Sequence, residues 1–306
     1  MKIKSGRYTI ELSNTDKVLF GKSKITKGEI IDYYAYIAPI MLRYCNKHPI
    51  SMKRYPNGIE HEGFFQKEAG AYFPDWITRV SVPKEHDGVV NTVVIDKPAT
   101  LIYLANQACI TPHIWLSRAD KLNTPDRMIF DLDPSGKKFS FADVQKAAQE
   151  TKKILDACDV PTFYMLTGSR GAHIIVPLKR THTFDETREF ARDVATLLAT
   201  KFPKLMTTQM SKNRRGKRIF VDWLRNGFGA TAVAPYAVRA REDAPVATPV
   251  TWKELQSPGM HAQKYNINNV EKRMKKVGDI WKGMEKHAVS LKKARKKLDK
   301  LMEKND

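Results

Sequence analysis

Two aspartates one residue apart end an apolar segment, MIFDLDPSG at residues 128–136. In a β-strand, residues i and i+2 point to the same face, so Asp131 and Asp133 should lie side by side. Like charges this close need positive compensation, and paired carboxylates are the hard oxygen ligands that Mg²⁺ and Mn²⁺ prefer. The alternative is a strand end whose acids meet only arginine or lysine, and the Asp-x-Asp pattern alone leaves both open.

A third acid follows another apolar segment. Asp222 ends IFVD at residues 219–222, again after residues typical of a buried strand. If the three strand-borne carboxylates converge, they form the arrangement that two-metal phosphoryl chemistry uses. We therefore predict that Asp131, Asp133 and Asp222 are the metal-binding and catalytic residues.

The segment TGSRGAH, residues 167–173, lies between two apolar segments and reads as a tight turn between strands. Its glycines permit a close approach of the backbone to a phosphate, and its hydroxyl and basic side chains are phosphate donors. The predicted triphosphate ligands here are Thr167, Ser169, Arg170 and His173. A hairpin turn whose histidine faces solvent is the alternative.

Positive charge dominates the composition, with 53 Lys and Arg against 33 Asp and Glu, a formal net charge of +20. Such a surplus favours a polyanionic partner such as nucleic acid, although a generally basic surface would also explain it. Basic clusters flank the third acid at residues 210–218 and 236–241. Lys53 and Arg54 precede Phe64 and Phe65, a mixture suited to holding a backbone and stacking a base, with at least one phenylalanine expected in the core.

Hydrophobic periodicity predicts the elements that position these residues. Helices are expected at residues 27–46 and 97–110, after Ser140 with Asp143 as a capping box, and after Thr183 with Glu186. Strands are expected at RMIFDLD, on both sides of the TGSRGAH turn, at RIFVDW and at TAVAPYAV. No βαβ glycine fingerprint is present, so we predict an α+β fold with mixed or antiparallel central sheets flanked by helices.

The C-terminal composition differs from that of the rest of the chain, and residues 266–306 are predicted to form a basic helical appendage. This segment could follow phosphates, dock on the body or be a solvated helix, and the last is favoured. Its apolar stripe comprises Val289, Leu291, Leu298 and Leu301.

Cysteine usage and hydropathy point to a protein of the cytoplasm. Cys45, Cys109 and Cys158 have no metal-ligand spacing and form no disulfide framework. No apolar run reaches the ~18 residues of a membrane helix, and the first residues have no signal-peptide pattern. We therefore expect no membrane partner.

Taken together, the motifs resemble the polymerase domain of bacterial ligase D, a branch of the archaeo-eukaryotic primase superfamily. The similarity extends over nearly the whole chain and carries, in the family's order, LSNTDKVLF, TKGEIIDYYAYIAPIM, KRYPNG, FFQKE, HIWLSR, FDLDP, TGSRGAH, FVDW, VAPYAVRAR and PVTW. The resemblance implies a primase-like catalytic core. It also implies a template-directed nucleotidyltransferase that fills gaps or extends DNA ends in non-homologous end joining, using two Mn²⁺ or Mg²⁺ ions and NTP or dNTP substrates.

Carried over residue by residue, the resemblance gives each motif a role. Asp131, Asp133 and Asp222 match the metal-binding catalytic acids. Residues that match or support the nucleotide site are Lys53, Thr167, Ser169, Arg170, His173, Arg215 and Arg239. Lys17 and Lys27 match a pair that grips a downstream 5′-phosphate. Contacts to the template are implied for Phe64, Phe65 and His113.

Departures from the family pattern are confined to a few positions. Thr167 and Arg170 stand where the family commonly has Ser and Lys, and both keep the chemical type. Thr111 replaces an acid two residues before His113, and Ile114 replaces a proline, which affects the template side of the site.

The resemblance also implies an organisation and partners. Residues 1–265 would form the primase-polymerase catalytic domain, with residues 1–110 contributing DNA-end and template contacts, and residues 266–306 the appendage. Expected partners are DNA ends, gapped or primer-template DNA with a 5′-phosphate, an ATP-dependent DNA ligase and a Ku-type end-binding protein, in the bacterial nucleoid. A stand-alone domain and a piece of a longer ligase both stay open.

Three alternative functions remain at this point. A haloacid-dehalogenase-type phosphatase also pairs aspartates after an apolar strand, but FDLDPSG lacks the usual Gly-Thr after the second aspartate. A non-catalytic DNA-end-binding module would explain the charge and the two lysines but not three acids beside a triphosphate turn. A primase that joins nucleotides without a primer would use the same chemistry.

Overall fold

The computed structural model describes residues 1–83, 88–136 and 139–304. Its strands are β1 (Lys2–Ser5), β2 (Tyr8–Glu11), β3 (Val18–Phe20), β4 (Ile25–Thr26), β5 (His48–Arg54), β6 (Phe64–Gln66), β7 (Arg79–Pro83), β8 (Val89–Ile95), β9 (Cys109–Trp115), β10 (Ser117–Arg118), β11 (Lys121–Pro125), β12 (Arg127–Pro134), β13 (Phe163–Leu166), β14 (Ala172–Pro177), β15 (Met206–Thr207), β16 (Ile219–Asp222), β17 (Thr231–Val233) and β18 (Thr248–Val250). Its α-helices are α1 (Lys27–Cys45), α2 (Pro98–Asn106), α3 (Phe141–Ala157), α4 (Phe184–Lys201), α5 (Trp252–Leu255), α6 (Val270–Val277) and α7 (Leu291–Glu303).

The chain forms two compact units that interleave along the sequence. Unit 1 comprises residues 1–120, 231–248 and 265–279. Its main sheet has the strand order β17-β9-β5-β8-β7, with β6 paired to β5, and neighbouring strands are antiparallel. Helix α1 begins at a capping box in which Thr26 and Glu29 exchange hydrogen bonds, and it packs against α2.

Unit 2 comprises residues 121–230, 249–264 and 280–306. Its sheet has the order β15-β16-β12-β14-β13-β18. Strand β12 pairs antiparallel with both β14 and β16, whereas β15 and β16 are parallel. Helices α3 and α4 pack against β12. These mixed and antiparallel sheets with flanking helices confirm the predicted α+β class.

Most predicted elements are present, and the differences have local causes. The capping box of Thr183 and Glu186 at α4 is confirmed. At α3 the side chain of Ser140 accepts from the Ala142 N–H at 3.2 Å, and among the described contacts Asp143 does not complete a box. The aspartate side chain is one methylene shorter than the glutamate that completes such boxes.

Two predicted elements are shorter than expected. The helix expected to reach residue 110 ends at Asn106, because Ala108 has a left-handed φ of 55° and Cys109 begins β9. The strand expected over TAVAPYAV is confined to Thr231–Val233. It stops before a proline without an N–H, and Tyr236 has a φ of 65°.

The C-terminal helix α7 is docked on unit 2, so the favoured solvated-helix interpretation was wrong for one of its faces. Leu291 and Leu298 are buried, and α7 packs against α4. The final two residues of the predicted appendage, 305 and 306, lie outside the described residues. The division into 1–265 and 266–306 stays a prediction. Within the described ranges, no helix combines the length and apolar character that crossing a membrane requires.

Candidate active site

The strand register of unit 2 brings the three predicted acids together. Asp131 on β12 is directly opposite Asp222 on β16, and Asp133 lies two residues further along the same face of β12. Between them, Leu132 pairs with Val221, and both side chains are fully buried on the opposite face. A one-residue slip would expose these apolar side chains, so burial fixes the register that gathers the carboxylates.

Each acid has a guanidinium nearby. The Nε atom of Arg225 lies 3.2 Å from an oxygen of Asp222 and 3.5 Å from an oxygen of Asp131. Arg170 and Arg215 approach the two oxygens of Asp133 at 3.0 and 3.4 Å. Side chains of unit 2 therefore supply the positive compensation that the paired acids require.

The electrostatic state of the acids reflects their burial. Partial burial raises the pKa of Asp133 and of Asp222 above its usual range, and the neighbouring Asp131 charge raises both further. Arg170 and Arg215 oppose the rise at Asp133, and Arg225 opposes it at Asp222. The ionised carboxylates are thus costly in the folded protein and would be stabilised by a closely bound cation.

The TGSRGAH turn packs directly against the acid-bearing strand. The hydroxyl of Thr167 donates to the carbonyl of Gly171 at 3.0 Å, and Gly168 adopts a left-handed φ of 63°. A Cβ atom on Gly171 would lie 2.0 Å from the carbonyl oxygen of Leu132. Only glycine permits this approach, so the turn is held beside the peptide that joins the two aspartates.

His173 connects the turn to the acids. It lies opposite Asp131 in the β12–β14 register, with its Nε2 atom 3.5 Å from Asp131 Oδ1. The side chain is 4% exposed, and its Nδ1 atom has no hydrogen-bond partner among the residues that the structure describes. A buried ring nitrogen of this kind is suited to a ligand contact. Ser169 is anchored through its backbone, whose carbonyl accepts from Gln263 at 2.8 Å.

Arg215 is held rigidly. Its guanidinium donates to the carbonyls of Gln209 and Met210 at 2.9 and 2.8 Å and stacks on the ring of Phe220 at 3.7 Å. The residue is 7% exposed. A planar cation fixed in this way can present its remaining donors to an anion with little loss of side-chain entropy.

Sequence reasoning missed two residues of this site, Arg225 and Asn226. Both belong to a short 3₁₀ turn, Leu224–Asn226, directly after β16. Asn226 is fully buried, and its amide bonds both the N–H and the carbonyl of Ile129 at 2.8 Å. Asn226 thereby replaces the missing strand partner of β12 at Ile129, two residues before Asp131, because the pairing with β16 ends at Asp222. The only available signal was their position immediately after the third acid.

The donor set fits a divalent cation in chemical type, because three carboxylates on one face supply hard oxygen ligands. Within residues 1–83, 88–136 and 139–304, however, no group of three or more His, Cys, Asp or Glu side chains is spaced to hold a metal ion. The carboxylates are instead directed to the guanidinium groups described above.

In unit 1, a second group of predicted residues surrounds Lys53. Its Nζ atom donates to the carbonyl of Gly63 at 2.6 Å and lies 4.8 Å from the centre of the Phe65 ring. The Phe65 ring in turn meets His113 edge to face at 5.3 Å. Phe64 and Phe65 are 46% and 54% exposed, so the expectation that one of them belongs to the core was wrong. Strand β6 is short and, among the strands that the structure describes, pairs with β5 alone, which leaves both rings exposed.

Arg239 lies in the same unit, beside a well-anchored segment. The preceding residue, Val238, donates its N–H to the Tyr34 hydroxyl at 3.1 Å, and its carbonyl accepts from Thr111 at 2.6 Å. Thr111, one of the departures from the family pattern, therefore has a structural role. Burial raises the pKa of Tyr55 above its usual value, and the positive charge of Arg239 partly opposes that rise.

Lys17 and Lys27 are neighbours in unit 1. The backbone N–H of Lys27 donates to the carbonyl of Lys17 at 2.8 Å, next to the β3–β4 pair. The Lys17 ammonium reaches Asn57 at 3.3 Å, and that of Lys27 bonds the carbonyl and hydroxyl of Ser13. Burial lowers the pKa of Lys27, and the nearby charges of Lys17 and Arg54 lower it further. A nearby anion would relieve the repulsion that the Lys17 charge exerts on Lys27.

The structure thus gathers the predicted residues within their units. Those brought together in unit 2 are Asp131, Asp133, Asp222, Thr167, Ser169, Arg170, His173 and Arg215. Those of unit 1 are Lys17, Lys27, Lys53, Phe64, Phe65, His113 and Arg239.

Comparison of the sequence with known proteins identifies the family to which the chain is similar. The model of the family described as LigD, primase-polymerase domain, matches residues 26–281. The LigD protein of Mycolicibacterium smegmatis is 32% identical over 273 residues, which cover 89% of this chain and 35% of that protein. The bifunctional LigD of Bacillus subtilis is 31% identical over 270 residues, covering 88% of this chain and 43% of that protein. The chain therefore spans between about a third and two fifths of the length of these relatives.

Comparison with solved structures also finds a ligase D polymerase domain. The polymerase domain from Mycobacterium tuberculosis ligase D in complex with DNA is similar with a TM-score of 0.85 and 31% sequence identity. The match covers 91% of this chain and 99% of that domain.

Proposed function

The chain belongs to the LigD primase-polymerase family of nucleotidyltransferases of end-joining repair, and we propose that it fills gaps or extends DNA ends in non-homologous end joining. Its proposed substrates are a nucleoside triphosphate and gapped or primer-template DNA that carries a downstream 5′-phosphate. An ATP-dependent ligase and a Ku-type end-binding protein are the proposed partners, at DNA ends in the nucleoid.

The observation that carries this proposal is the register of β12 and β16, which opposes Asp131 and Asp222 with Asp133 on the same face. We assign these three carboxylates to two divalent cations, Mn²⁺ or Mg²⁺. When bound, such ions would neutralise the acids and the triphosphate oxygens during in-line displacement at phosphorus. The raised pKa values of Asp133 and Asp222 support the assignment, since burial and the neighbouring Asp131 charge make their ionised forms costly and a bound cation would relieve that cost.

The turn residues are assigned to the triphosphate. Arg170 is 36% exposed on its side chain and can rotate from Asp133 to a phosphate, whereas the stacked Arg215 holds a fixed position. Thr167 shapes the turn through its bonds to Gly171, and His173 offers a buried ring nitrogen. Preorganised donors of this kind bind the incoming nucleotide and stabilise charge that develops as pyrophosphate leaves.

Unit 1 is assigned to the nucleic acid and to further nucleotide contacts. The exposed Phe65 ring, backed by Lys53 and His113, is suited to stacking on a templating base. Phe64 lies under the guanidinium of Arg54 at 5.6 Å and can extend that surface. We assign Lys53 and Arg239 to the nucleotide, and Lys17 with Lys27 to the 5′-phosphate.

The test is primer extension on a gapped duplex that carries a downstream 5′-phosphate. Mn²⁺ would be compared with Mg²⁺, and NTPs with dNTPs, for the parent, Asp131→Ala and Asp185→Ala. Asp185 is an exposed acid of α4 in the same unit and serves as the matched control. We expect templated addition by the parent and the control but none by Asp131→Ala.

A non-catalytic end-binding module is favoured by one observation, the pairing of every acid with an arginine. That function would be supported if the parent bound gapped DNA but added no nucleotide with either metal. The phosphatase alternative is left without support, because the chain belongs to a polymerase family.

A further inference from the structure

Helix α7 lies beyond residue 281, where the match to the family model ends. It is nevertheless firmly attached to unit 2. The backbone of Val289 pairs with that of Leu178, and the His182 ring accepts from the Leu291 N–H at 3.0 Å. Arg295 reaches Asp193 of α4 at 2.7 Å, and Lys297 pairs with Asp159. These contacts fix which face of α7 points to solvent.

The solvent face of α7 carries four exposed lysines, Lys292, Lys293, Lys296 and Lys300. None of the four has an ion-pair partner within the part of the chain that the structure describes. Lys292, Lys296 and Lys300 are four residues apart and so form a row along the helix, with steps of about 6 Å. We call these three the lysine row.

The lysine row works against the stability of its own helix. Lysines four residues apart repel each other, and Lys292 and Lys293 lie in the first turn, where the helix dipole disfavours cations. No acid occupies that turn. The one acid between the row's last two lysines, Asp299, is bonded by Arg295 at 2.7 Å. A sequence that breaks local rules in this way points to a function for the charges.

We propose that the lysine row of α7 binds the phosphate backbone of double-stranded DNA, outside the residues assigned to catalysis and to the 5′-phosphate. The row extends about 12 Å, and a duplex presents roughly seven phosphate charges over that length. The sequence of α7 itself contains no aromatic residue, which disfavours single strands that bind by stacking. The apolar face of α7, with Leu291 and Leu298 buried, packs against α4, which disfavours binding of this helix to a membrane surface.

The proposal rests on the proposed DNA substrate, so its test uses a readout independent of polymerisation. The probe is a duplex closed by a hairpin at each end, without nucleotide, which offers no primer end and no 5′-phosphate. Binding would be measured against salt concentration for the parent, for Lys292→Gln with Lys296→Gln and Lys300→Gln, and for a control triple. The control replaces the scattered exposed lysines Lys4, Lys146 and Lys253 by Gln.

Loss of three phosphate contacts should reduce the slope of log affinity against log salt by about 2.7. When the salt concentration falls from about 200 to 50 mM, the ratio of the parent's duplex affinity to that of the row variant should therefore increase roughly forty-fold. The control triple, with the same net charge, should keep most of the parental slope, and so should a triple Lys→Arg variant of the row. Primer extension should persist in the row variant at low salt, which separates this proposal from the proposed activity.

Equal slopes for the row variant and the control triple would overturn the proposal. It would also be overturned if the row variant lost binding to anionic phospholipid vesicles while its duplex binding was unchanged. Circular dichroism of all variants verifies that α7 stays folded. If the Gln triple unfolds it, the single variants Lys292→Gln, Lys296→Gln and Lys300→Gln keep the test decisive, since each should lower the slope by about 0.9.

Discussion

Arg225 forms ion pairs with two of the three acids, and its replacement gives the sharpest test of the metal assignment. The change is Arg225→Gln, which removes the charge but keeps a polar side chain of similar reach. Because Arg225 lies 3.2 Å from Asp222 and 3.5 Å from Asp131, a cation that binds both acids must weaken these pairs. We therefore expect Mn²⁺ to bind more tightly to the variant.

The magnitude follows from the geometry. Exposed ion pairs contribute about 0.2–1 kcal/mol each, and here the arginine side chain is 43% exposed while both carboxylates are 14% exposed. Two pairs at the upper part of that range give about 1.4 kcal/mol, which is a tenfold change in affinity. The dissociation constant for Mn²⁺ should thus fall about tenfold.

The assay is titration of free Mn²⁺ by electron paramagnetic resonance, without nucleotide or DNA. Arg225→Lys keeps the charge and is the matched control, expected to bind Mn²⁺ close to the parental affinity. Unchanged or weaker Mn²⁺ binding by Arg225→Gln would refute the idea that Arg225 occupies the cation position. Weaker binding of the triphosphate alone, with unchanged metal affinity, would instead assign Arg225 to the nucleotide.

Three further predictions concern other parts of the molecule. Asp222→Asn should raise the thermal midpoint near neutral pH, because the raised pKa means that the ionised acid destabilises the folded state. The stability that this group contributes falls as pH rises through that pKa, so the gain in midpoint should shrink in acid. A gain that does not depend on pH would contradict this. Asn226→Ala should lower the free energy of unfolding in urea by about 2–4 kcal/mol, since the N–H and carbonyl of Ile129 would be left buried and unpaired. A cost below the ~1 kcal/mol of an ordinary substitution would argue against this role of Asn226. Lys17→Ala with Lys27→Ala should weaken binding to 5′-phosphorylated gaps more than to unphosphorylated gaps, and equal losses on both substrates would rule out the assignment.

The parts of the fold that could be predicted from the sequence are those with local causes. Helix α1 follows from its periodicity and its Thr26–Glu29 box, and α4 from the corresponding box at Thr183. The shared face of Asp131 and Asp133 follows from the two-residue period of a strand. These features depend on neighbours in sequence, so the residue pattern contains them.

The rest depends on partners far apart in the chain. The position of Asp222 opposite Asp131 is set by the pairing of β16 with β12, which no local pattern specifies. Arg225 and Asn226 act from a 3₁₀ turn that has no periodic signature. The exposure of Phe64 and Phe65 follows from the shortness of β6, because an aromatic pair in a longer, covered strand would have been buried.

The arginines around the acids offset the negative charge of the carboxylates. Three carboxylates meet Arg170, Arg215 and Arg225, so the cluster is close to neutral by itself. If divalent cations take over the carboxylates, the same guanidinium groups lose their partners and become available to the negatively charged triphosphate. The two ligands would then bind more tightly together than apart, because each relieves a charge imbalance that the other creates. The three arginines beside the acid-bearing strand therefore fit the proposed chemistry.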